Sequence, residues 1–320
     1  MLDTATTHTN NSEALHYQIS LSAMPERLDK VLAQLMPEHS RSRIQNWIEQ
    51  GHVWVNGQPV LRIRQQALPG DRLQVWPQAR PEELAYEAEN IPLDIVEQTP
   101  AWLVLNKPAG LVTHPGAGNW TGTLLNGLLY HFPQLTQVAR AGIVHRLDKD
   151  TSGLMVVALT DIAQTHLVRQ LQERTVKREY IALCHGFLYG EGSIDLAIGR
   201  DARVPIRMTT QNATAPRAAR THYKALNHGL LGRGEAITAV QCQLETGRTH
   251  QIRVHLSSQG HPLLGDEIYG GKPSAGASRQ MLHASALAFE APLTNKTVAF
   301  SMVPPTDFSE VYEQVQWKNA

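Results

Sequence analysis

The chain has 320 residues, 42% of them hydrophobic and 18% charged, enough to bury a sizeable core in one large or two unequal domains. Its 29 basic and 29 acidic residues cancel, so any surface for an acidic partner must come from local segregation of charge. Two cysteines, Cys184 and Cys242, exclude a disulfide framework, and no apolar run approaches the roughly 18 residues of a membrane span.

Residues 1–15 are Thr- and Asn-rich, with no signal-peptide pattern, and are expected to form a disordered tail on a cytoplasmic protein. Leu28, Val31, Leu32 and Leu35 mark one face of a helix over 27–36, ended by Pro37. Ser40 then caps a helix that carries Arg41, Arg43, Ile44, Trp47 and Ile48 and stops at Gly51. VWVNGQPV follows, with Asn56-Gly57 as a two-residue hairpin turn. A basic arm over 61–65 and a Pro-Gly-Asp turn at 69–71 lead into a strand over 72–76. Residues 16–77 thus read as a small α+β domain. Arg41, Arg43, Arg62 and Arg64 give it a cationic strip, opposed only by Glu49 and suited to phosphate contacts with a structured RNA. The polar, acidic stretch 78–90 reads as a linker.

From Ile91 the pattern predicts a short strand, a strand over 102–106, a Gly/Pro-rich loop and a helix near 123–131. The apolar run Leu154–Ala158 reads as a buried strand, and 161–173 as a helix with Leu167, Val168 and Leu171 on its apolar face. REYIALCHG is a strand, 185–235 loops and short strands, 236–244 a strand, and 249–257 a helix capped by Thr249. Elements alternate without a βαβ rhythm. The fold class is therefore α+β, with a mixed, largely antiparallel sheet in a domain over 91–320.

The chemistry concentrates in AGIVHRLDKDTSGLMVVA, residues 141–158. Asp148 stands there between Arg146 and Lys149, and an opposite charge within a few ångströms favours a carboxylate. Such a group at the lip of a core suits nucleophilic work; the same residues also suit a surface turn with satisfied ion pairs. Lys107 and His114 lie in the Gly-rich loop LNKPAGLVTHPGAG, where they could meet phosphate or simply serve an unusual loop. Tyr180 could stack on a base or pack in the core. Arg248, His250 and Arg253, in ETGRTHQIRVH, could form an anion site or a solvated helix face. The histidines match no metal-binding spacing, and no phosphate-binding loop motif is present.

Taken together, these strings resemble the RluA-type pseudouridine synthases over about residues 16–316. HRLDKDTSGLMVVA, LNKPAGLVTHPGAG, KREY, LETGRTHQIRVH, HPLLGDEIYGG and MLHA occur in the family's order. Residues 16–77 resemble the S4 RNA-binding domain. The resemblance implies a pseudouridine synthase catalytic domain preceded by an S4-like domain, acting on large-subunit (23S) ribosomal RNA with no cofactor or metal; a monomer away from the membrane is expected. A sister synthase for other rRNA or tRNA uridines is the alternative, ahead of a non-catalytic RNA-binding protein. It also implies roles. Asp148 is the catalytic aspartate, and Arg146 holds the place or phosphate of the flipped nucleotide. Tyr180 stacks on the uracil and could assist proton removal from C5, Arg253 pairs with the catalytic carboxylate, and Leu282 lies against the base. Whether Asp148 adds to C1′ or takes a sugar proton is left open. Arg217, where a lysine is commoner in the family, leaves the RNA contacts of 199–222 in doubt.

Overall fold

A computed structural model describes residues 14–79, 82–116 and 118–318, in two compact units that divide between Glu83 and Leu84. The tail expected over 1–15 lies outside the described residues but for Ala14 and Leu15. Among the described residues no helix is long and apolar enough to cross a membrane.

In the first unit Ser40 Oγ accepts the Arg43 amide at 3.4 Å and opens the helix Arg41–Glu49. Asn56 and Gly57 take the positive φ values, 51° and 79°, that a tight hairpin between Val53–Val55 and Gln58–Pro59 requires. A four-stranded sheet that includes Leu15–Gln18 and Arg72–Val75 packs with the two helices around Leu28, Leu32, Ile44, Trp47, Ile48 and Leu73. The first helix, Leu28–Leu35, departs from its expected stripe: Leu35 is 41% exposed, while Asp29 is fully buried. Arg27, Arg41 and Gln45 converge on the Asp29 carboxylate, and they satisfy a charge that burial would otherwise forbid.

The second unit is built on a ten-stranded sheet. Its main path runs 191–195, 220–231, 235–244, 177–185, 282–290, 152–158, 102–107 and 95–98. Every pairing on it is antiparallel except that of Leu282–Glu290 with Ser152–Ala158. The expected mixed, largely antiparallel sheet is therefore present. The apolar run in Ser152–Ala158 is buried on both faces: Met155 and Val157 enter one core, Leu154, Val156 and Ala158 another. That double burial explains why its sequence does not alternate. Gly153 has φ 114°, and a Cβ there would fall 2.3 Å from the Ala284 carbonyl oxygen. The glycine lets the Asp148 segment lie directly on the strand that begins at Leu282.

Three expectations need correction. Residues 220–231, read as loops and short strands, form one twelve-residue strand. A register shift between Ala225 and Asn227 breaks the period-two pattern that would have revealed it. The helix expected over 249–257 is Gln251–Ser258, and Thr249 does not cap it; His250 occupies the cap position with a left-handed φ of 57°. Part of the acidic stretch 78–90 is tied to the second unit: Asn126 Nδ2 donates to Glu87 O at 2.8 Å, and the Glu89 amide donates back to Asn126 O at 3.0 Å.

Candidate active site

Asp148 begins a turn closed by the Thr151 amide, which donates to its carbonyl at 3.1 Å. The surrounding carbonyls are fixed from three directions. Thr113 Oγ1 donates to Leu147 O at 2.7 Å, Lys107 Nζ to Lys149 O at 2.9 Å, and Arg279 Nη1 to Asp150 O at 2.9 Å. A side chain on so constrained a backbone is held in one geometry, as a reactive group needs to be.

Lys107 therefore does not reach phosphate, as its loop position suggested. It is fully buried, and Nζ also donates to Pro108 O at 2.7 Å and Leu111 O at 2.9 Å. Burial brings its pKa down to about 7, against the pull of Asp148 and Asp150. Three carbonyl acceptors call for three N–H donors, which is the ammonium form.

The carboxylate of Asp148 is 14% exposed, and Oδ2 accepts Arg253 Nη1 at 3.1 Å. Arg253 is itself locked, with Nε and Nη2 donating to Asp266 at 2.7 and 2.8 Å and its guanidinium 5.1 Å from the centre of the Tyr269 ring. Burial opposes its charge, but the hydrogen bonds to Asp266 and the charge of Asp148 outweigh that and raise its pKa. The other oxygen, Oδ1, faces His250 Nε2 at 4.0 Å. Tyr269 Oη accepts the Met208 amide at 2.9 Å and sits 2.8 Å from His250 Nδ1. Burial pushes this phenol up to about 12, so it keeps the hydrogen it donates to the ring. His250, lowered by burial, then directs a neutral N–H toward Asp148.

Around Asp148 the structure gathers Arg146, Arg178, Tyr180, Leu244, Ile252 and Leu282 at a cavity of about 50 Å³, room for water but not for a pyrimidine. Tyr180 is on the central strand Lys177–His185 and is 5% exposed; burial, with Asp148 adding to it, pushes its phenol up to about 12. Leu282 opens the neighbouring strand. The sequence neighbours of Asp148 behave differently from its spatial ones. Arg146 and Lys149 are exposed and make no ion pair with it; the cation bonded to the carboxylate is Arg253, 105 residues away, the partner the resemblance implied.

The other expected RNA contacts divide. Arg62 and Arg64 are exposed. Arg41 is bound to Asp29 at 2.7 Å, and Arg43 donates to Gln78 O at 2.7 Å, lies over Trp47 and stands 3.6 Å from Glu83. The strip is thus opposed by more than Glu49. His114 Nδ1 donates to Pro115 O at 3.1 Å, its Nε2 is buried without a partner, and it does not line the Asp148 cavity. Arg248 lines the cavity and donates to Ala218 O at 3.1 Å.

Asp266, Tyr269, Arg178 and Arg279 were not singled out from sequence. HPLLGDEIYGG held the clue, an acid and a tyrosine in a Gly-rich turn, but the guanidinium that Asp266 grips lies thirteen residues earlier and shows no pairing in the string.

A mixed sheet in which the loop before an interior strand presents one aspartate to a cavity lined by a tyrosine, a leucine and a paired arginine fits a class of RNA-modifying enzyme. The chain belongs to the RNA pseudouridylate synthase family, which matches residues 101–258, and an S4 domain matches residues 26–73. It is 48% identical over 293 residues to ribosomal large subunit pseudouridine synthase D of Neisseria meningitidis serogroup B, covering 88% of this chain and 76% of that one. The protein of the same name from Pasteurella multocida is 42% identical over 315 residues, 94% of this chain and 95% of that one. Among solved structures, human RNA pseudouridylate synthase domain containing 1 is similar with a TM-score of 0.57 and 30% identity, over 72% of this chain and 91% of that one.

Proposed function

We propose that the protein isomerises uridines of large-subunit ribosomal RNA to pseudouridine, in the cytoplasm and as a monomer, with Asp148 as its catalytic carboxylate. One observation carries the reading. A carboxylate that lines a cavity, with one oxygen bound to a locked arginine, stands beside a buried tyrosine and leucine. Named relatives such as the synthase of Pasteurella multocida support the choice of RNA.

Pseudouridine formation breaks the N1–C1′ bond and joins C5 to C1′, so the base must be detached, turned and reattached without escaping. The reacting atoms are inaccessible in a stacked helix, which calls for base flipping. Asp148 acts at the sugar, either by adding to C1′ or by taking a sugar proton. Arg253 fixes its direction, and Asp266 fixes Arg253. Tyr180 stacks on the uracil; burial, which pushes its phenol up, works against its acting as the base that removes the C5 proton. Leu282 supplies the apolar wall. Arg146, exposed at the mouth, takes the place vacated by the nucleotide or meets its phosphate. Lys149, Arg248 and His250 lie within reach of the same strand, and Arg62 and Arg41 of residues 16–77 contact structured RNA, with 91–320 as the catalytic domain. The small cavity must open for a pyrimidine to enter.

Two assays test this. Tritium release from uridine-labelled large-subunit rRNA should occur with the wild-type protein and vanish in Asp148→Asn while RNA affinity stays within severalfold. Turnover by that variant would overturn the catalytic assignment. Mapping pseudouridines in total RNA with and without the protein identifies the target, and changes confined to tRNA would overturn the choice of substrate.

A further inference from the structure

Three arginines are buried among the described residues. Arg253 clasps Asp266 and Asp148, and Arg279 clasps Asp307 at 2.6 and 3.0 Å. Arg178 clasps no carboxylate. It is 6% exposed, its Nε is buried without a partner, and its hydrogen bond is a long one, from Nη2 to the Glu245 main-chain oxygen at 3.3 Å. A guanidinium withdrawn from water without a counter-charge is costly, and proteins keep such a group where something else completes it.

What it faces is a groove of about 520 Å³ that runs on from the Asp148 cavity and shares Arg146, Arg178, Gly247 and Arg248 with it. Arg140 and Arg174 line it too. Against these five arginines stands one carboxylate, Glu245, which is already engaged by Arg174 at 3.1 Å, His222 at 2.7 Å and Arg220 at 3.6 Å. The groove's histidine, His145, adds no charge: its Nε2 accepts the Val156 amide at 3.1 Å, which requires the neutral ring. Gly247 keeps the floor open, since a Cβ there would stand 2.8 Å from Arg178 Nη1. The groove is therefore an anion cradle whose inner end is a guanidinium without a counter-charge, two residues along the strand from the tyrosine of the cavity.

We propose that Arg178, with Arg140, Arg146, Arg174 and Arg248 along the groove, binds backbone phosphates of the RNA strand next to the flipped nucleotide, Arg178 holding the phosphate nearest the cavity. This rests on the reading of Asp148 as the catalytic site. The groove's volume, its five arginines and its continuity with the cavity favour a polynucleotide over a free anion. Burial, which lowers the Arg178 pKa, marks a charge the protein alone does not compensate.

The test is the salt dependence of binding of a large-subunit rRNA fragment to the full-length protein. Removing the neutralisation of one phosphate lowers the slope of log K against log salt by about 0.7 to 0.9. Arg178→Gln should weaken binding at least tenfold at low salt and reduce the slope by that amount, its loss falling on KM more than on kcat. Replacing single phosphodiesters near the target uridine by uncharged methylphosphonates should reveal one position that costs the wild type but not Arg178→Gln. A variant that folds with an unchanged slope overturns the proposal, as does a methylphosphonate scan that costs both proteins equally. If Arg178→Gln does not fold, the double variant Arg140→Gln, Arg174→Gln, on exposed side chains, decides by the same slope. Absence of tritium release by the wild type would instead defeat the functional reading, while a steep salt slope that flattens in these variants would leave the groove assignment standing.

Discussion

Two aspartates, one in each unit, are flanked by arginines and differ in what remains free. Asp29 is fully buried: Oδ1 accepts Arg27 Nε at 3.0 Å, and Oδ2 accepts Arg27 Nη2 at 3.0 Å, Arg41 Nε at 2.8 Å and Gln45 Nε2 at 2.6 Å. Asp148 lines a cavity and has one such bond, on Oδ2; its second oxygen has His250 Nε2 4.0 Å away. Burial works against the Asp29 charge, yet the hydrogen bonds from Gln45, Arg27 and Arg41 win and bring its pKa down to about 2. A carboxylate with both oxygens bonded is a structural knot. One with a vacant oxygen, on a backbone that cannot move, is available for chemistry. RxD-type strings alone do not separate the two cases, because the count of bonds is set by residues far away in sequence.

The largest effect should come from making the two aspartates trade roles. Asp148→Asn is expected to lower turnover by roughly three orders of magnitude or more while leaving thermal stability within a degree or two. Asp29→Asn should do the opposite. It presents an N–H₂ to two arginines and strips Oδ-directed bonds, at a cost of about 2 kcal/mol, held down because Arg27 and Arg41 are 33% and 42% exposed and can turn to water. For a unit of this size that is about a 10 °C fall in its melting temperature. Tritium release at saturating RNA and calorimetry on the same two proteins check both halves. A large stability loss in Asp148→Asn would erase the distinction.

Asp266→Asn should fall between them. Asp266 touches no substrate; it fixes the guanidinium that fixes Asp148. Loosening that grip should reduce kcat by about ten- to a hundredfold, as loss of a supporting partner does at other preorganised sites, with little change in KM. Asp266→Glu, which keeps the charge, should recover part of it. A change confined to KM would show that Asp266 serves binding rather than orientation.

The comparison also shows what the sequence carries. The helix after Ser40, the Asn56-Gly57 hairpin and the buried strand after Asp148 are local: each depends on a cap, a turn residue or an apolar run within a few positions. Asp148 and Tyr180 could be singled out because their strings are distinctive. The grip of Asp266 on Arg253, the missing counter-charge of Arg178 and the burial of Lys107 could not. Lys107 looks like a phosphate ligand in a Gly-rich loop until three carbonyls close around it. Its partners come from residues 108, 111 and 149, and the last is supplied only by the fold.

The smallest expected effect, on stability against pH, should again separate the units. His255 and His283 are built alike: Nε2 donates to a carbonyl, of Leu196 at 2.9 Å and Met302 at 3.1 Å, and Nδ1 meets a hydroxyl, of Thr221 at 2.9 Å and Ser152 at 3.0 Å. A carbonyl can only accept, so Nε2 carries the hydrogen; burial favours the neutral ring, which leaves Nδ1 to accept from the hydroxyl. Burial lowers both pKa values, and it lowers His145 to about 3 and His250 as well. In the unfolded chain these rings protonate near pH 6.5. Between there and the lower folded value the unfolded state binds more protons, so stability falls as pH drops, by up to about 1.4 kcal/mol per pH unit for each ring. Asp29 has the other window: its contribution is present above the ordinary carboxylate range and is lost only as pH falls toward about 2. From pH 7 to pH 5 the second unit should therefore lose protection while the unit around Asp29 holds steady. Hydrogen exchange followed by mass spectrometry reads the two separately. A flat second unit would show that these buried rings gain their protons without opening the fold, and equal loss in both would show that the pH dependence does not come from them.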